Sequence, residues 1–332
     1  MKRCDDWAWL RDAGVCAVGL LIGVAGGCAT GPNTGTGKHA KPVVLEYPAR
    51  DLSPLSKTLC LDGETLEPMS AETLIERARS ADVVLIGEYH GQAEGLAASA
   101  ALWQAVVQQS ESEGMSDAVL ALEFIERDQQ ILLDDWLAAE EAMEPEAFSF
   151  KHGPMLLEAK RAGRPVIAAN APRRYVRMAR TKGYEHLQAM TDTQQATFVI
   201  PGTGDVPKPT GAYQDKFFEL FGGADGHGGG MSQEKIESYW RSQIMWDVTM
   251  ADSLVRSLSD GARTVVLVVG RFHVAYDGGI PQALRAMQPK AEVFSVVMAK
   301  GEEIAELRKS ARESDKESGG APIADAVWVL QD

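Results

Sequence analysis

Residues 82–90 read DVVLIGEYH and residues 263–273 read RTVVLVVGRFH. Each begins with a short β-branched apolar run, turns at a glycine and reaches a histidine three places later. Asp82–Ile86 and Arg263–Val269 are near-continuously apolar rather than alternating, the pattern of strands buried on both faces. Further strands of this kind are expected at Ala118–Leu122 (AVLAL), Pro165–Ala169 (PVIAA), Glu292–Val297 and Ala326–Leu330. Helical patterns separate them: Ala93–Gln109 repeats Leu96, Ala100, Trp103 and Val107 on one face, and Glu126–Ala139 follows the AVLAL strand. Apolar strands alternating with helices predict an α/β domain, a mostly parallel sheet covered by helices on both faces. The rhythm breaks between about residues 183 and 230. That interval holds two short helical patterns (Glu185–Val199 and Tyr213–Phe221), a Pro/Gly-rich joint (PGTGDVPKPTG) and a glycine cluster around His227. It reads as a small helical insertion over one end of the sheet. The long helix expected next, Ser232–Leu258, carries Asp247 in its apolar stripe, and a buried carboxylate needs a partner. Arg271 and Arg173 are the candidates.

The chemistry falls at the strand ends. In an open parallel sheet, ligands bind beyond the carboxyl ends of the strands. Those ends read Gly87-Glu88-Tyr89-His90, then Glu123, then Asn170 with Arg173, then Gly270-Arg271-Phe272-His273. Neighbouring strands lie about 5 Å apart, so these side chains should converge. His90, Glu123 and His273 are suitable donors for a zinc-like or iron ion. Four polar clusters closing four apolar strands are hard to explain by packing. Asn170 and Arg173 also read as a cap for the helix after Pro172, and a lone G-x-x-H segment or a lone Glu carries little weight.

The rest of the chain sets the context. With 47 acidic against 33 basic residues the net charge is −14, which argues against a nucleic-acid partner and against electrostatic docking on anionic lipid. Residues 1–27 read as a signal peptide: Lys2, Arg3 and Arg11 precede an apolar run from Val15 to Gly27, too short to span a bilayer. Ala25, Gly26 and Gly27 then precede Cys28 like a lipoprotein processing site, with Ala25 where leucine is usual. Cys28 is therefore the expected lipidation site. Residues 28–45 read as a flexible tether, and 46–332 as the folded domain. Removing Cys4 and Cys16 with the signal leaves Cys60 alone, a small apolar residue rather than a nucleophile.

Several segments carry a family resemblance: VVLIGEYH, LALEF, VIAANAPR, SQIMWDVTMADSL and VVGRFHVAYDGGIPQAL. Together they resemble the ChaN-type haem-binding lipoproteins of the Tiki/TraB superfamily, over roughly residues 70–300. The resemblance implies a parallel-sheet domain with a small helical domain. It also implies haem binding through a tyrosine, dimerisation around paired haems and a part in iron acquisition. The ligating tyrosine is not placed by motif: Tyr89 lies inside the first G-x-x-H segment, and Tyr175, Tyr213 and Tyr276 are rivals. On this reading Glu88, Tyr89, His90, Glu123, Asn170, Arg173, Arg271 and His273 form the haem site of a homodimeric envelope protein, lipid-anchored to the outer membrane and facing the periplasm. Other branches of the superfamily are metal-dependent proteases. Their pattern implies the alternative, a hydrolase with a divalent ion on His90, Glu123 and His273 and Glu88 as general base. The absence of C-x-x-C-H excludes covalent haem attachment.

Overall fold

The computed structural model describes residues 49–112, 118–139, 152–222, 231–314 and 322–331. The expected signal peptide, Cys28, the tether and His227 lie outside them. Among the described residues seven strands form one sheet: β1 (Leu59–Asp62), β2 (Val83–Glu88), β3 (Ala118–Glu126), β4 (Val166–Asn170), β5 (Thr264–Gly270), β6 (Val293–Lys300) and β7 (Ala326–Leu330). Their order is β1-β7-β6-β2-β5-β3-β4. The six expected strands pair in parallel, so the mostly parallel α/β sheet read from the sequence is the observed one. The seventh, β1, was not expected. It is four residues long and joins β7 antiparallel at the sheet edge.

The two faces of the sheet carry separate cores. On β2, Val84 and Ile86 face one core with Leu74, Trp103, Leu133 and Phe217, while Val83 and Leu85 face the other with Val248, Leu254, Ile280 and Leu284. Every residue of β2 and β5 is buried, which is why these strands read as unbroken apolar runs. Helices Ala71–Ser80, Ala93–Ser112, Gln130–Ala138 and Gly153–Arg161 cover the first face; Gly279–Met287, Gly301–Ser314 and the C-terminal half of Gln233–Ser259 cover the second. Among the described residues, no helix is long and apolar enough to cross a membrane.

Three local expectations are corrected. The helix expected over Glu185–Val199 is two short ones, Glu185–Gln188 and Asp192–Gln195. Thr191 accepts a hydrogen bond from Gln194 N–H and starts the second afresh as a capping box. The helix expected at Glu126 opens with a 3-10 turn, Arg127–Gln129. And β3 runs four residues past its expected end at Leu122, through Glu123 to Glu126, with its pairing to β4 shifting register between Leu122 and Glu126.

Candidate functional site

The register of the sheet brings the expected strand ends together. Glu88, last residue of β2, lies opposite Gly270, last residue of β5, and Leu122 of β3 lies opposite Val268. The irregularity after Leu122 is of the kind that re-aims a side chain at a sheet rim, and here it sends the Glu123 carboxylate under the Gly270 turn. Glu123 Oε2 accepts the Gly270 N–H at 2.7 Å. A Cβ on Gly270 would come within 3.0 Å of His90 Nε2, so the glycine makes room for the imidazole.

His90 and His273 approach the same carboxylate from two sides. His90 Nε2 lies 4.0 Å from Glu123 Oε2, and His273 Nε2 lies 3.7 Å from Glu123 Oε1. Each imidazole is held from behind by a second acid. His90 Nδ1 bonds Glu88 Oε1 at 2.8 Å, and His273 Nδ1 bonds Asp247 Oδ1 at 2.5 Å. Glu88 and Asp247 are both fully enclosed. A carboxylate behind a histidine orients the ring and favours a proton on the nitrogen that faces it, here Nδ1.

The arrangement extends at both ends. His152, at the start of helix Gly153–Arg161, contacts Glu88 Oε2 through Nε2 at 3.0 Å, so Glu88 is bridged by two imidazoles. Phe124 packs between those two rings, edge-on to His90 at 4.9 Å and stacked on His152 at 5.5 Å. At the other end Tyr213 donates to Asp247 Oδ2 at 2.8 Å, and Gln243 Nε2 reaches both Tyr213 Oη and His273 Nδ1. Asp247 thus pairs with a histidine and a tyrosine, and neither Arg271 nor Arg173 is its partner.

The charges follow. Burial disfavours the Glu88 anion, yet hydrogen bonds from His152 and His90 outweigh it and hold its carboxyl below the usual range. Burial likewise opposes charge on His273, but the Asp247 and Glu123 carboxylates prevail and raise its pKa.

Not every expected residue joins this group. Tyr89 turns toward the end of β6: its hydroxyl donates to Glu303 Oε1 at 2.8 Å and accepts from Arg271 Nη1 at 2.5 Å. Arg271 also pairs with Glu303 Oε2 at 2.9 Å, so Tyr89, Arg271 and Glu303 form their own buried cluster. Tyr175 lies in a satellite core with Phe198 and Leu187. Asn170 braces the site from below, donating to the Glu123 carbonyl at 3.0 Å and accepting from Ala171 N–H. Arg173 is two-thirds exposed and pairs with Glu126 at 3.6 Å. His90, Glu123 and His273 do meet, yet among the described residues no group of three or more His, Cys, Asp or Glu side chains is placed to hold a metal ion. His152, Phe124 and Gln243 escape the sequence reading: His152 closes none of the expected strands, and only its place two residues before Pro154 marks a helix start.

An open, mostly parallel sheet with imidazoles and carboxylates gathered at its carboxyl rim defines the class, an α/β protein with a polar cluster where such sheets bind ligands. A family model described as haem-binding uptake, Tiki superfamily, ChaN matches residues 74–284, and the chain belongs to that family. In fold it is similar to ChaN of Campylobacter jejuni, solved for its cofacial haem binding. The two are 17% identical, with 83% of this chain and 97% of that chain covered and a TM-score of 0.57. A Bacillus cereus protein is 15% identical over 75% of each chain, with a TM-score of 0.39. No curated protein matches this chain.

Proposed function

We propose that this protein binds haem at the rim of β2, β3 and β5 and serves haem or iron acquisition at the cell envelope. The observation that carries the reading, beside the family, is the state of His90. Its Nδ1 lies 2.8 Å from Glu88 Oε1 and its Nε2 faces Glu123, and the side chain keeps 13% exposure where Glu88 keeps none. An imidazole so oriented, with the Phe124 ring against it, suits a porphyrin iron; both the donor and the apolar contact are present. Haem would supply an iron able to accept a nitrogen donor, and His90 would be the residue that offers it. The chain's own residues would fix the rest: Glu88 the orientation of the ring, Glu123 and His273 the polar wall that Nε2 faces, and Asn170 the carbonyl of Glu123. Tyr89 is not the ligand in this reading, because its hydroxyl is held between Arg271 and Glu303.

Acylated Cys28, a placement facing the periplasm and pairing of two chains around the ligand belong to the same proposal. Haemin titration followed in the visible range tests it. The parent protein is expected to give a saturable Soret band, and His90→Ala to weaken binding by more than about 10–100-fold, the scale for losing only a partner behind a metal ligand. A His90→Ala protein with the parent's spectrum and affinity would remove His90 from the site.

A further inference from the structure

We infer that Glu303 is a positioning residue for this site: it joins the two G-x-x-H turns from behind, so that His90 and His273 stay set against Glu123. The inference rests on the haem-binding reading and deepens it. Each turn sends side chains in two directions. His90 and His273 go to Glu123, while Tyr89 of the first turn and Arg271 of the second, 182 positions apart, go to Glu303. Glu303 Oε1 accepts the Tyr89 hydroxyl at 2.8 Å, and Arg271 Nη1 donates to Oε2 at 2.9 Å and to Oε1 at 3.3 Å. Arg271 Nη1 also donates to the Tyr89 hydroxyl, so the three side chains form a closed triangle. Lys300 N–H donates to Oε2 at 2.7 Å and fixes the carboxylate at the head of helix Gly301–Ser314. The turns also touch directly: a Cβ on Gly87 would come within 3.1 Å of Arg271 Cα. One carboxylate on a separate helix therefore sets both turns against each other.

Stability is a weak account of this cluster. Tyr89, Arg271 and Glu303 are all buried. A buried ion pair gives back in desolvation much of what it gains in attraction, and apolar side chains of the same volume often serve as well or better. What polar groups add is direction, because a hydrogen bond holds its partners at a fixed distance and angle and apolar contact does not. Two turns that must present two imidazoles to one carboxylate need that fixed relation.

The test is hydrogen–deuterium exchange of the full chain without haem, in two variants of Glu303. Glu303→Leu keeps the bulk and removes both acceptors. Glu303→Gln keeps an oxygen at the Oε1 position, able to accept from Tyr89 and Arg271, and loses the acceptor for Lys300 N–H. In Glu303→Leu, exchange should rise about 5–100-fold over residues 87–92 and 270–276, the scale of lost buried contacts read as local opening. In Glu303→Gln it should rise only around residue 300. Haemin affinity should fall about 2–30-fold in Glu303→Leu, the scale for residues that act on a site without touching its ligand, and stay near the parent's in Glu303→Gln. A local role for Glu303 gives another pattern, in which both variants loosen the head of the helix and neither loosens the turns; that result would overturn the inference. If Glu303→Leu does not fold, Tyr89→Phe decides, because it releases the first turn and leaves the Arg271–Glu303 pair. Exchange should then rise over residues 87–92, and unchanged exchange there would refute the joining role. Turns that loosen as expected in a protein whose parent gives no saturable Soret band would refute the haem reading and leave the hold of Glu303 on both turns standing.

Discussion

Gly279 sits where a Cβ would lie 2.1 Å from Asp247 Oδ2, and Tyr213 closes over the same oxygen from another helix. These contacts show why Asp247 was legible and its partners were not. An acid inside an apolar stripe is visible in any sequence, because burying it alone is costly. The partner is fixed by tertiary placement: Tyr213 stands 34 residues earlier and His273 26 residues later. The arginines named as candidates are used elsewhere, Arg271 on Glu303 and Arg173 on Glu126. Tyr213→Phe would leave Asp247 Oδ2 and Gln243 each short of a buried contact. A loss of about 1–3 kcal/mol is expected by urea unfolding, and a loss under a few tenths would show that the hydroxyl is dispensable. Cys60 agrees with its reading as a small apolar residue. It is buried, and desolvation pushes its thiol up to about 12. It should resist a thiol reagent at neutral pH until urea unfolds the chain, and rapid labelling of native protein would contradict this.

At the scale of elements, the four strands that end on polar clusters were legible because each is buried on both faces and stops at a residue unsuited to continue it. The missed strand, β1, has only four residues, with the pattern exposed, buried, buried, half-buried. A segment so short carries too little period to be recognised. The extension of β3 was missed for a different reason: a bulge is set by pairing, and pairing is absent from local sequence. The opposite sheet edge is guarded by one side chain. Gln130 Nε2 donates to the Val166 carbonyl at 2.9 Å and Gln130 Oε1 accepts Ala168 N–H at 2.7 Å, so the amide takes the place of a further strand beside β4. Lys160 Nζ meanwhile bonds the carbonyls of Trp136, Leu137 and Ala139, closing the end of helix Gln130–Ala138. Gln130→Leu should cost about 1–2 kcal/mol and leave β4 open to edge pairing. Light scattering at rising concentration would reveal the self-association; a variant as monodisperse and as stable as the parent would show that the edge needs no guard.

Across the whole molecule, a sheet with a separate core on each face carries at its rim the polar cluster that runs from His152 through Glu88, His90, Glu123 and His273 to Asp247. The sequence located most of it because a parallel sheet places successive strand ends side by side. It did not locate His152, which reaches the rim from a helix on the first face. At the same scale, the proposed anchor is tested at the N-terminus. Protein extracted from membranes should begin at Cys28 with acyl groups in its mass spectrum, and an unmodified Cys28 would remove the anchor from the proposal. The central claim is that haem iron sits at the rim of β2, β3 and β5, and the most direct test is anomalous scattering at the iron absorption edge from crystals of the haemin complex. The iron peak is expected about 2 Å from His90 Nε2, the length of a metal–imidazole bond. An iron peak bonded to Tyr276 or Tyr89, or lying on the opposite edge of the sheet, would contradict it.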